Sequence, residues 1–118
     1  MEMIDVTAGV RRVVKEAGVA RGVCHLFVPH TTAALIITEN SDSSGRHDML
    51  QELLKTVPGQ VGDTGESPVA HVLSSLVGPS EHVLVDDSRL MLGTWQSIYL
   101  CEFDGPRARN MLLRVSGD

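Results

Sequence analysis

The amino-acid sequence predicts an α+β fold: a single domain in which an antiparallel or mixed β-sheet sandwich carries two to three helices. The chain has 118 residues, of which 42% are hydrophobic, and this supplies one core without room for a second domain. Apolar residues recur at helical spacing in the first half, whereas short apolar runs separated by turns dominate the second half. This arrangement is typical of α+β proteins, so we expect one domain over residues 1–118.

The first helix is predicted over residues 7–17. Apolar side chains recur there every three or four residues, and Gly18 follows at the position where helices commonly end in a left-handed conformation. Two strands are predicted next, over residues 22–29 and 35–38. The first of them is apolar along most of its length, which indicates burial on both faces.

A second helix is predicted between the polar cap residues Asp42-Ser43-Ser44 and the helix-ending pair Pro58-Gly59. Its apolar stripe recurs at helical spacing and consists of Met49, Leu50, Leu53, Leu54 and Val57. Residues 59–68 then combine three glycines, a proline and short polar side chains. We therefore expect a surface loop over residues 59–68.

The remaining predicted elements are a short helix and a series of strands. The helix covers residues 69–77, because an apolar segment ends there at Gly78-Pro79. Strands are predicted over residues 82–85, 90–92, 95–103 and 108–115. These strands complete the predicted sheets.

The composition argues against several classes of function. Ten basic residues against fifteen acidic ones give a net charge of −5, the wrong sign for a surface that neutralises a phosphate backbone. Aromatic residues make up 3% of the chain, which leaves little for stacking on single strands. No stretch approaches the roughly 20 apolar residues that span a bilayer, and no secretion signal is recognisable. We expect a soluble, cytoplasmic protein without nucleic-acid or membrane partners.

The two cysteines, Cys24 and Cys101, lie in apolar segments that are predicted as strands. Neither has a second ligand at the short spacing that is typical of zinc-binding pairs. We therefore expect both to be reduced thiols in the core.

The first candidate site is the segment His30-Thr31-Thr32-Ala33, which lies between two apolar strands. Functional groups are often placed in such loops, and an imidazole there can bind a metal or transfer protons. Alternatively, the segment is a turn whose hydroxyl groups satisfy backbone hydrogen bonds. A carboxylate of Glu39 or Asp42 would lie near His30 if the two strands pair through a short connection. Otherwise Asn40 and Asp42 serve as turn and cap residues.

Two residues on predicted helices are also candidates. Asp48 lies beside the apolar stripe of the second helix, where a short acidic residue is unfavourable unless a metal, a histidine or an arginine pairs with it. His71 lies on the apolar third helix, where a histidine is either a hydrogen-bonded core residue or a ligand. The nearby hydroxyls of Ser74, Ser75 and Ser80 are able to bind an anion.

The last candidates lie near the C-terminus. The segment Gly93-Thr94-Trp95-Gln96 contains the single tryptophan of the sequence, a residue that more often anchors a core or an interface than it binds a ligand. Residues 102–109 place two acids and two arginines around a Gly-Pro turn. Either these residues form ion pairs across a hairpin, or Arg107 binds a phosphate or carboxylate through two hydrogen bonds.

These motifs form an ordered set: His30-Thr31-Thr32-Ala33, Glu39-Asn40, His47-Asp48-Met49, Ala70-His71, Ser74-Ser75, Gly78, Leu92-Gly93-Thr94-Trp95-Gln96 and Glu102-Phe103-Asp104-Gly105-Pro106-Arg107. In order and spacing, the set closely resembles the motifs of the YjbQ-like family. The resemblance covers nearly the whole chain, and residues 93–96 are its most distinctive part.

The resemblance implies a small α+β protein that assembles as a homotrimer and has a cluster of polar residues as its active site. Members of the family are linked to a secondary thiamine-phosphate synthase activity, which joins a thiazole phosphate to a pyrimidine pyrophosphate and releases pyrophosphate. His30 and His71 match the two characteristic histidines of the family. The resemblance therefore implies that they bind a divalent metal such as zinc.

The resemblance also suggests roles for other polar residues toward a small phosphorylated or anionic metabolite. Asp48 is the first choice as a third metal ligand or acid–base group, and Glu39 and Glu102 are second choices. Substrate contacts are expected from Thr31, Thr32, Ser80, Gln96 and Arg107, with Ser80 and Arg107 stabilising charge on a pyrophosphate leaving group. The alternative is a non-catalytic trimer that binds a metal or an anion in the same pocket.

The sequence departs from the family pattern at three points. Leu73 stands where members usually have a lysine, which removes a cation that would meet phosphate and weakens the inference of thiamine-phosphate synthesis. Ser88 stands where most members have a glycine. Members also begin with an upstream strand that we do not recognise at Met1-Glu2-Met3. We therefore expect either that the sheet lacks an edge strand or that the sequence is incomplete at its start.

Overall fold

The chain begins with a strand that the sequence did not predict, and the other elements follow in the predicted order. The computed structural model describes residues 1–57 and 68–118. The elements are β1 (Glu2–Asp5), α1 (Thr7–Ala17), β2 (Arg21–Phe27), β3 (Ala33–Glu39), α2 (Ser43–Thr56), α3 (Pro68–Val77), β4 (Ser80–Asp86), β5 (Arg89–Leu90), β6 (Gln96–Glu102) and β7 (Leu112–Gly117).

The strands form two sheets. One sheet has three strands in the order β1-β6-β3, and the other has four strands in the order β5-β4-β2-β7. Throughout residues 1–57 and 68–118, the strand pairings are antiparallel. Together with the three helices, these sheets confirm the predicted α+β fold.

The main core lies between the two sheets, which therefore form a sandwich. Inward-facing residues of both sheets meet there, and α1 adds the buried side chains of Val10 and Val14. The buried members from the strands and their ends are Cys24, Leu26, Val28, Ala33, Leu35, Val83, Val85, Leu90, Ile98 and Leu100.

A second core covers the opposite face of the three-stranded sheet. Because successive side chains of a strand point to opposite faces, Tyr99 and Cys101 of β6 face this second core, whereas Ile98 and Leu100 face the first. The helices α2 and α3 supply the other side of the second core, for example with Leu73 of α3.

The prediction that β2 is buried on both faces is wrong. Cys24 and Leu26 are buried, but Phe27 is 44% exposed. The helices α2 and α3 pack on the other sheet, so the outer face of the four-stranded sheet is open in a single chain. Leu84 and Leu112 lie on this same outer face and are 61% and 55% exposed.

Local signals set the ends of the helices as predicted. α1 occupies the predicted residues and ends at Gly18, which has a φ of 67° that favours glycine. Asp42 caps α2, because its Oδ1 accepts a hydrogen bond from the Gly45 N–H at 2.9 Å. The third predicted helix is confirmed as α3. Of the loop predicted over residues 59–68, only Pro68 belongs to the described residues, as the first residue of α3.

Two strands near the sheet edges differ from the prediction. β1 forms an edge of the three-stranded sheet, with Met3 opposite Cys101 of β6, so the expected lack of an edge strand at the start of the chain is wrong. Met3 is the single buried residue of β1, which leaves too little alternation to be recognised in the sequence. β5 contains only Arg89–Leu90 and is shorter than predicted.

The last strand begins four residues later than the prediction of residue 108, because β7 starts at Leu112. Arg109 and Asn110 make other hydrogen bonds, to Glu102 and to His30 respectively. The connection before β7 therefore contacts the functional site described below and does not extend the strand.

Two further sequence expectations concern the core and the membrane. Cys24 and Cys101 are both buried and free, as expected. Among residues 1–57 and 68–118, no helix combines the length and the apolar character that crossing a membrane requires.

Candidate functional site

A polar cavity of about 300 Å³ lies between the segment that follows β2 and the helix α3. It contains His30 and His71, which the sequence predicts as partners, and also Thr31. Among the described residues, the lining consists of His30, Thr31, Ala33, His71, Ser74, Ser75 and Pro79. We call this cavity the His30 pocket.

Backbone hydrogen bonds hold the two walls of the His30 pocket together. The Val28 N–H donates to the Pro79 carbonyl at 2.8 Å, and the Leu35 N–H donates to the Gly78 carbonyl at 3.0 Å. Gly78 ends α3 with a φ of 101°, a conformation that favours glycine. The end of α3 is therefore attached on both sides of the segment that carries His30.

The ring of His30 is oriented by the backbone. Its Nε2 accepts a hydrogen bond from the Asn110 N–H at 2.9 Å, so Nε2 carries no proton in this arrangement. A neutral imidazole has one N–H, and the proton of His30 is therefore on Nδ1. His30 is thus presented as a hydrogen-bond donor, and binding a metal through either nitrogen would require loss of this arrangement.

A metal ion in a protein is held by several side chains that lie close together. Within residues 1–57 and 68–118, no group of three or more His, Cys, Asp and Glu side chains is placed to hold a metal ion. A structural or catalytic zinc site normally has three or four protein ligands. The residues as arranged do not fit a resident metal, and metal binding by His30 and His71 stays a prediction.

Ser74 contributes an unusual polar atom to the wall of the His30 pocket. The residue is 6% exposed, and its hydroxyl has no hydrogen-bond partner among the described residues. A buried polar group without a partner costs about 1–3 kcal/mol. The neighbouring Ser75 is different, because its hydroxyl donates to the His71 carbonyl at 2.9 Å. Ser74 therefore contributes to this wall a buried hydroxyl that has no partner among the described residues.

A buried ion pair supports the segment that carries His30. Arg109 donates hydrogen bonds to both carboxylate oxygens of Glu102 and to the Thr32 hydroxyl at 2.8 Å. The bonds from Arg109 hold the pKa of Glu102 below its usual range, although burial acts in the opposite direction. Glu102 is therefore a carboxylate that fixes the position of Arg109, and the Thr32 hydroxyl accepts a hydrogen bond from Arg109. Neither predicted role, catalytic for Glu102 and substrate-binding for Thr32, is tested by this geometry.

Glu39 and Gln96 lie at the end of the three-stranded sheet that is far from the His30 pocket. They are paired residues of β3 and β6, and His30 precedes the opposite end of β3, which at about 3.3 Å per residue puts them roughly 20 Å away. The Oε1 of Gln96 accepts from the Gly93 N–H at 2.8 Å, and Gln96 lines a different cavity with His82. Glu39 and Gln96 therefore do not join the His30 pocket within one chain.

Three other predicted residues do not line the His30 pocket. Asp48 is exposed on α2, and its side chain makes no hydrogen bond or ion pair with the residues that the structure describes. Ser80 is exposed at the start of β4, opposite Phe27 of β2. Arg107 is exposed and pairs with Asp104, with Nη2 to Oδ2 at 3.0 Å. The predicted roles of Asp48, Ser80 and Arg107 stay predictions.

Trp95 is not a core residue of the chain. Its side chain is 75% exposed, and its carbonyl accepts a hydrogen bond from the Asn40 N–H at 2.7 Å. The structure of a single chain therefore excludes core packing, and an interface role and a ligand-binding role both stay predictions.

These features define a small two-sheet α+β protein with a pocket of mainly polar residues next to a buried Arg–Glu pair. A sequence model of the family described as UPF0047 protein YjbQ-like matches residues 1–118. The chain belongs to this family, as its motifs predict.

Relatives and solved structures agree with this membership. The chain is 42% identical over 123 residues to the UPF0047 protein YugU of Bacillus subtilis, with 98% of this chain and 90% of the relative covered. It is 40% identical over 120 residues to the UPF0047 protein MJ1081 of Methanocaldococcus jannaschii, with 99% and 86% covered.

The fold is similar to that of two crystallised proteins. A YjbQ/UPF0047 family protein from Clostridium acetobutylicum superimposes with a TM-score of 0.89 at 39% identity, with 98% of this chain and 91% of that chain covered. The hypothetical protein APE1520 from Aeropyrum pernix has a TM-score of 0.89 at 31% identity, with 99% and 90% covered. The names of these four proteins state no reaction or ligand.

Proposed function

We propose that the His30 pocket binds a small anionic metabolite, bearing a carboxylate or phosphate group, through neutral hydrogen-bond donors. The observation that carries the proposal is the buried Ser74 hydroxyl, which lacks a partner in the wall of a pocket that also contains His30. A bound anion would accept a hydrogen bond from Ser74 and offset the cost of leaving this group unpaired.

The other groups of the pocket fit the same ligand chemistry. The Nδ1–H of His30 and the hydroxyl of Thr31 are both donors, and oxyanions accept several hydrogen bonds at once. The charge of Arg109 is neutralised by Glu102, so it adds little attraction. A cavity of about 300 Å³ corresponds to the small end of ligand pockets. We therefore expect a compact ligand of modest affinity.

The catalytic form of this proposal is a metal-dependent reaction on a phosphorylated metabolite, with thiamine-phosphate synthesis as one candidate. Its support is the family resemblance together with the presence of His30 and His71 in one pocket. Two observations weigh against it. The His30 Nε2 is already hydrogen-bonded, and Leu73, which replaces the usual lysine of the family, is 1% exposed in the core and offers no charge to phosphate.

The binding proposal is tested with Ser74→Ala and the matched control Ser75→Ala. Calorimetric titration with inorganic phosphate and a panel of small carboxylates and phosphate esters identifies a ligand. Loss of one hydrogen bond to an anion should then weaken its binding about tenfold in Ser74→Ala, with little change in the control. Because an unpaired buried hydroxyl is removed, Ser74→Ala should also be as stable as the wild type or more stable. A destabilised Ser74→Ala with unchanged affinity would assign the hydroxyl a structural role.

The catalytic form and the binding form give different results. Metal analysis of the purified protein, His30→Ala and His71→Ala tests the metal: a shared site requires stoichiometric metal that both substitutions remove. Thiamine-phosphate synthesis is measured with the thiazole phosphate and the pyrimidine pyrophosphate. Thermal stabilisation by a ligand follows occupancy alone, so stabilisation without metal and without turnover would favour a non-catalytic binding protein.

We also propose that the protein forms a homotrimer through the outer face of the four-stranded sheet. Phe27, Leu84 and Leu112 on this face are 44%, 61% and 55% exposed, and large exposed apolar side chains on one open face are typical of subunit contacts. Light scattering after size exclusion tests the proposal with Leu84→Asp. The control is Leu76→Asp on α3, which is 68% exposed and lies away from this face. A trimer that survives Leu84→Asp would contradict the proposed contact.

A further inference from the structure

A second polar cavity, of about 360 Å³, lies between α1 and the turn that joins β4 to β5. Its lining consists of Arg11, Lys15, Asp87, Ser88, Arg89 and Leu90. Three of these six residues carry a positive charge, and one carries a negative charge. We call this cavity the basic pocket.

The fold fixes the three cations on one side of the molecule. Arg11 and Lys15 are four residues apart on α1 and therefore share a helix face. Arg89 follows a tight turn in which Asp87 and Ser88 have φ angles of 52° and 58°, as in the two-residue turns of β-hairpins. Packing of α1 against Leu90 in the main core brings the two walls together.

These cations have no evident structural role. The side chains of Arg11, Lys15 and Arg89 form no hydrogen bond or ion pair with another residue in the described part of the chain, although the protein has fifteen acidic residues and a net charge of −5. Like charges four residues apart on a helix are mildly destabilising. Grouping them around one cavity therefore brings no gain to folding and favours an anion as the missing partner.

We propose that the basic pocket binds a compact polyphosphate, such as the pyrophosphate group of a phosphorylated metabolite. One exposed cation attracts an anion only weakly in water, but three cations around one cavity act together on a ligand with several charges. The Ser88 hydroxyl adds a neutral donor. The chain as a whole is acidic, and these three cations surround a single small cavity. This arrangement favours a small ligand over nucleic acid.

The basic pocket is separate from the His30 pocket. β2 runs from Arg21, which is opposite Asp86 at the end of β4, to Phe27, which is opposite Ser80, the residue after Pro79 of the His30 pocket. Seven strand residues span roughly 20 Å. The polyphosphate proposal therefore goes beyond the proposed function and does not depend on it.

The test is calorimetric titration of the full chain with inorganic pyrophosphate in low-salt buffer. Arg11→Gln, Lys15→Gln and Arg89→Gln should each weaken binding about three- to tenfold, and Asp87→Asn should strengthen it about threefold. The matched control is Arg12→Gln, which removes the same charge from an exposed residue of the same helix outside the pocket and should leave binding unchanged. Binding should also weaken as salt rises toward about 0.15 M, because the pocket is open to screening.

The alternatives give distinct outcomes. Equal weakening by Arg11→Gln and Arg12→Gln would show a general charge effect and overturn the proposal, as would the absence of binding at millimolar pyrophosphate. Binding that is lost in Ser74→Ala but kept in Arg89→Gln would place the pyrophosphate in the His30 pocket, which overturns this proposal and supports the other. Circular dichroism of each variant verifies that the fold is intact.

Discussion

Arg109 donates hydrogen bonds to both carboxylate oxygens of Glu102, seven residues earlier in the chain. Both side chains are almost fully enclosed, with 9% and 5% exposure. Arg109 also contacts Thr32, and the next residue, Asn110, contacts His30. The connection between β6 and β7 therefore holds the segment that forms one wall of the His30 pocket.

Removing one partner of this pair should be costly. Arg109→Ala leaves the Glu102 carboxylate buried without its counterion, and losses of this kind are about 3–5 kcal/mol. Arg107→Ala is the matched control, because Arg107 pairs with Asp104 at the surface, with 54% of its side chain exposed, where a pair contributes at most about 1 kcal/mol. Urea unfolding measures both variants. Similar losses in the two would refute the distinction between a buried and an exposed pair.

The same pair should make stability depend on acid pH. The hydrogen bonds from Arg109 lower the pKa of Glu102 in the folded state, so the unfolded state binds the proton more readily. The contribution of Glu102 is then fully present above its ordinary pKa of about 4.3 and is lost as the pH falls through the lower folded value. The free energy of unfolding of wild type and Glu102→Gln should converge between about pH 5 and pH 2. Parallel curves over that range would contradict the lowered pKa.

The helices could be predicted from the sequence because their signals are local. Gly18 ends α1 and Asp42 caps α2 within a few residues of the chain that they affect. β1 has no such signal, because its pairing partner is β6 near the other end of the chain. Burial of the outer face of β2 depends on whether helices cover its sheet. The residues of β2 alone do not determine where the helices pack.

The site was predicted in part for the same reason. His30 and His71 were paired through the motif set, and they line one cavity. The sequence predicts Arg109 as a member of ion pairs across a hairpin and favours Arg107 for the site, because it does not show which of the two arginine side chains is buried. The bond from Asn110 to His30 involves a backbone N–H, which any residue except proline supplies. No sequence pattern therefore predicts this hydrogen bond.

Two glycines should respond to alanine in opposite directions. A Cβ at Gly22 would overlap the backbone carbonyl of Ser116 on the neighbouring strand, so Gly22→Ala should cost at least about 2 kcal/mol by forcing β2 and β7 apart. A Cβ at Gly9 in α1 meets nothing within 4 Å, so Gly9→Ala should stabilise the protein by about 0.5–1 kcal/mol. Denaturant unfolding of both variants measures the difference. A neutral Gly22→Ala would mean that the two strands are not so closely paired.

The two cysteines should be inert in the native protein. Burial raises the pKa of Cys24, and it raises the pKa of Cys101 to about 12, so the reactive thiolate is scarce at pH 8. Both lie in strands with a neighbour on each side, so a reagent reaches them only after the sheets open. Titration with a disulfide reagent should therefore detect two thiols in denaturant and almost none in the native state. Cys24→Ser and Cys101→Ser assign any residual reaction to one sheet. Native labelling at the rate of an exposed thiol would show that the sheet concerned opens far more readily than its packing implies.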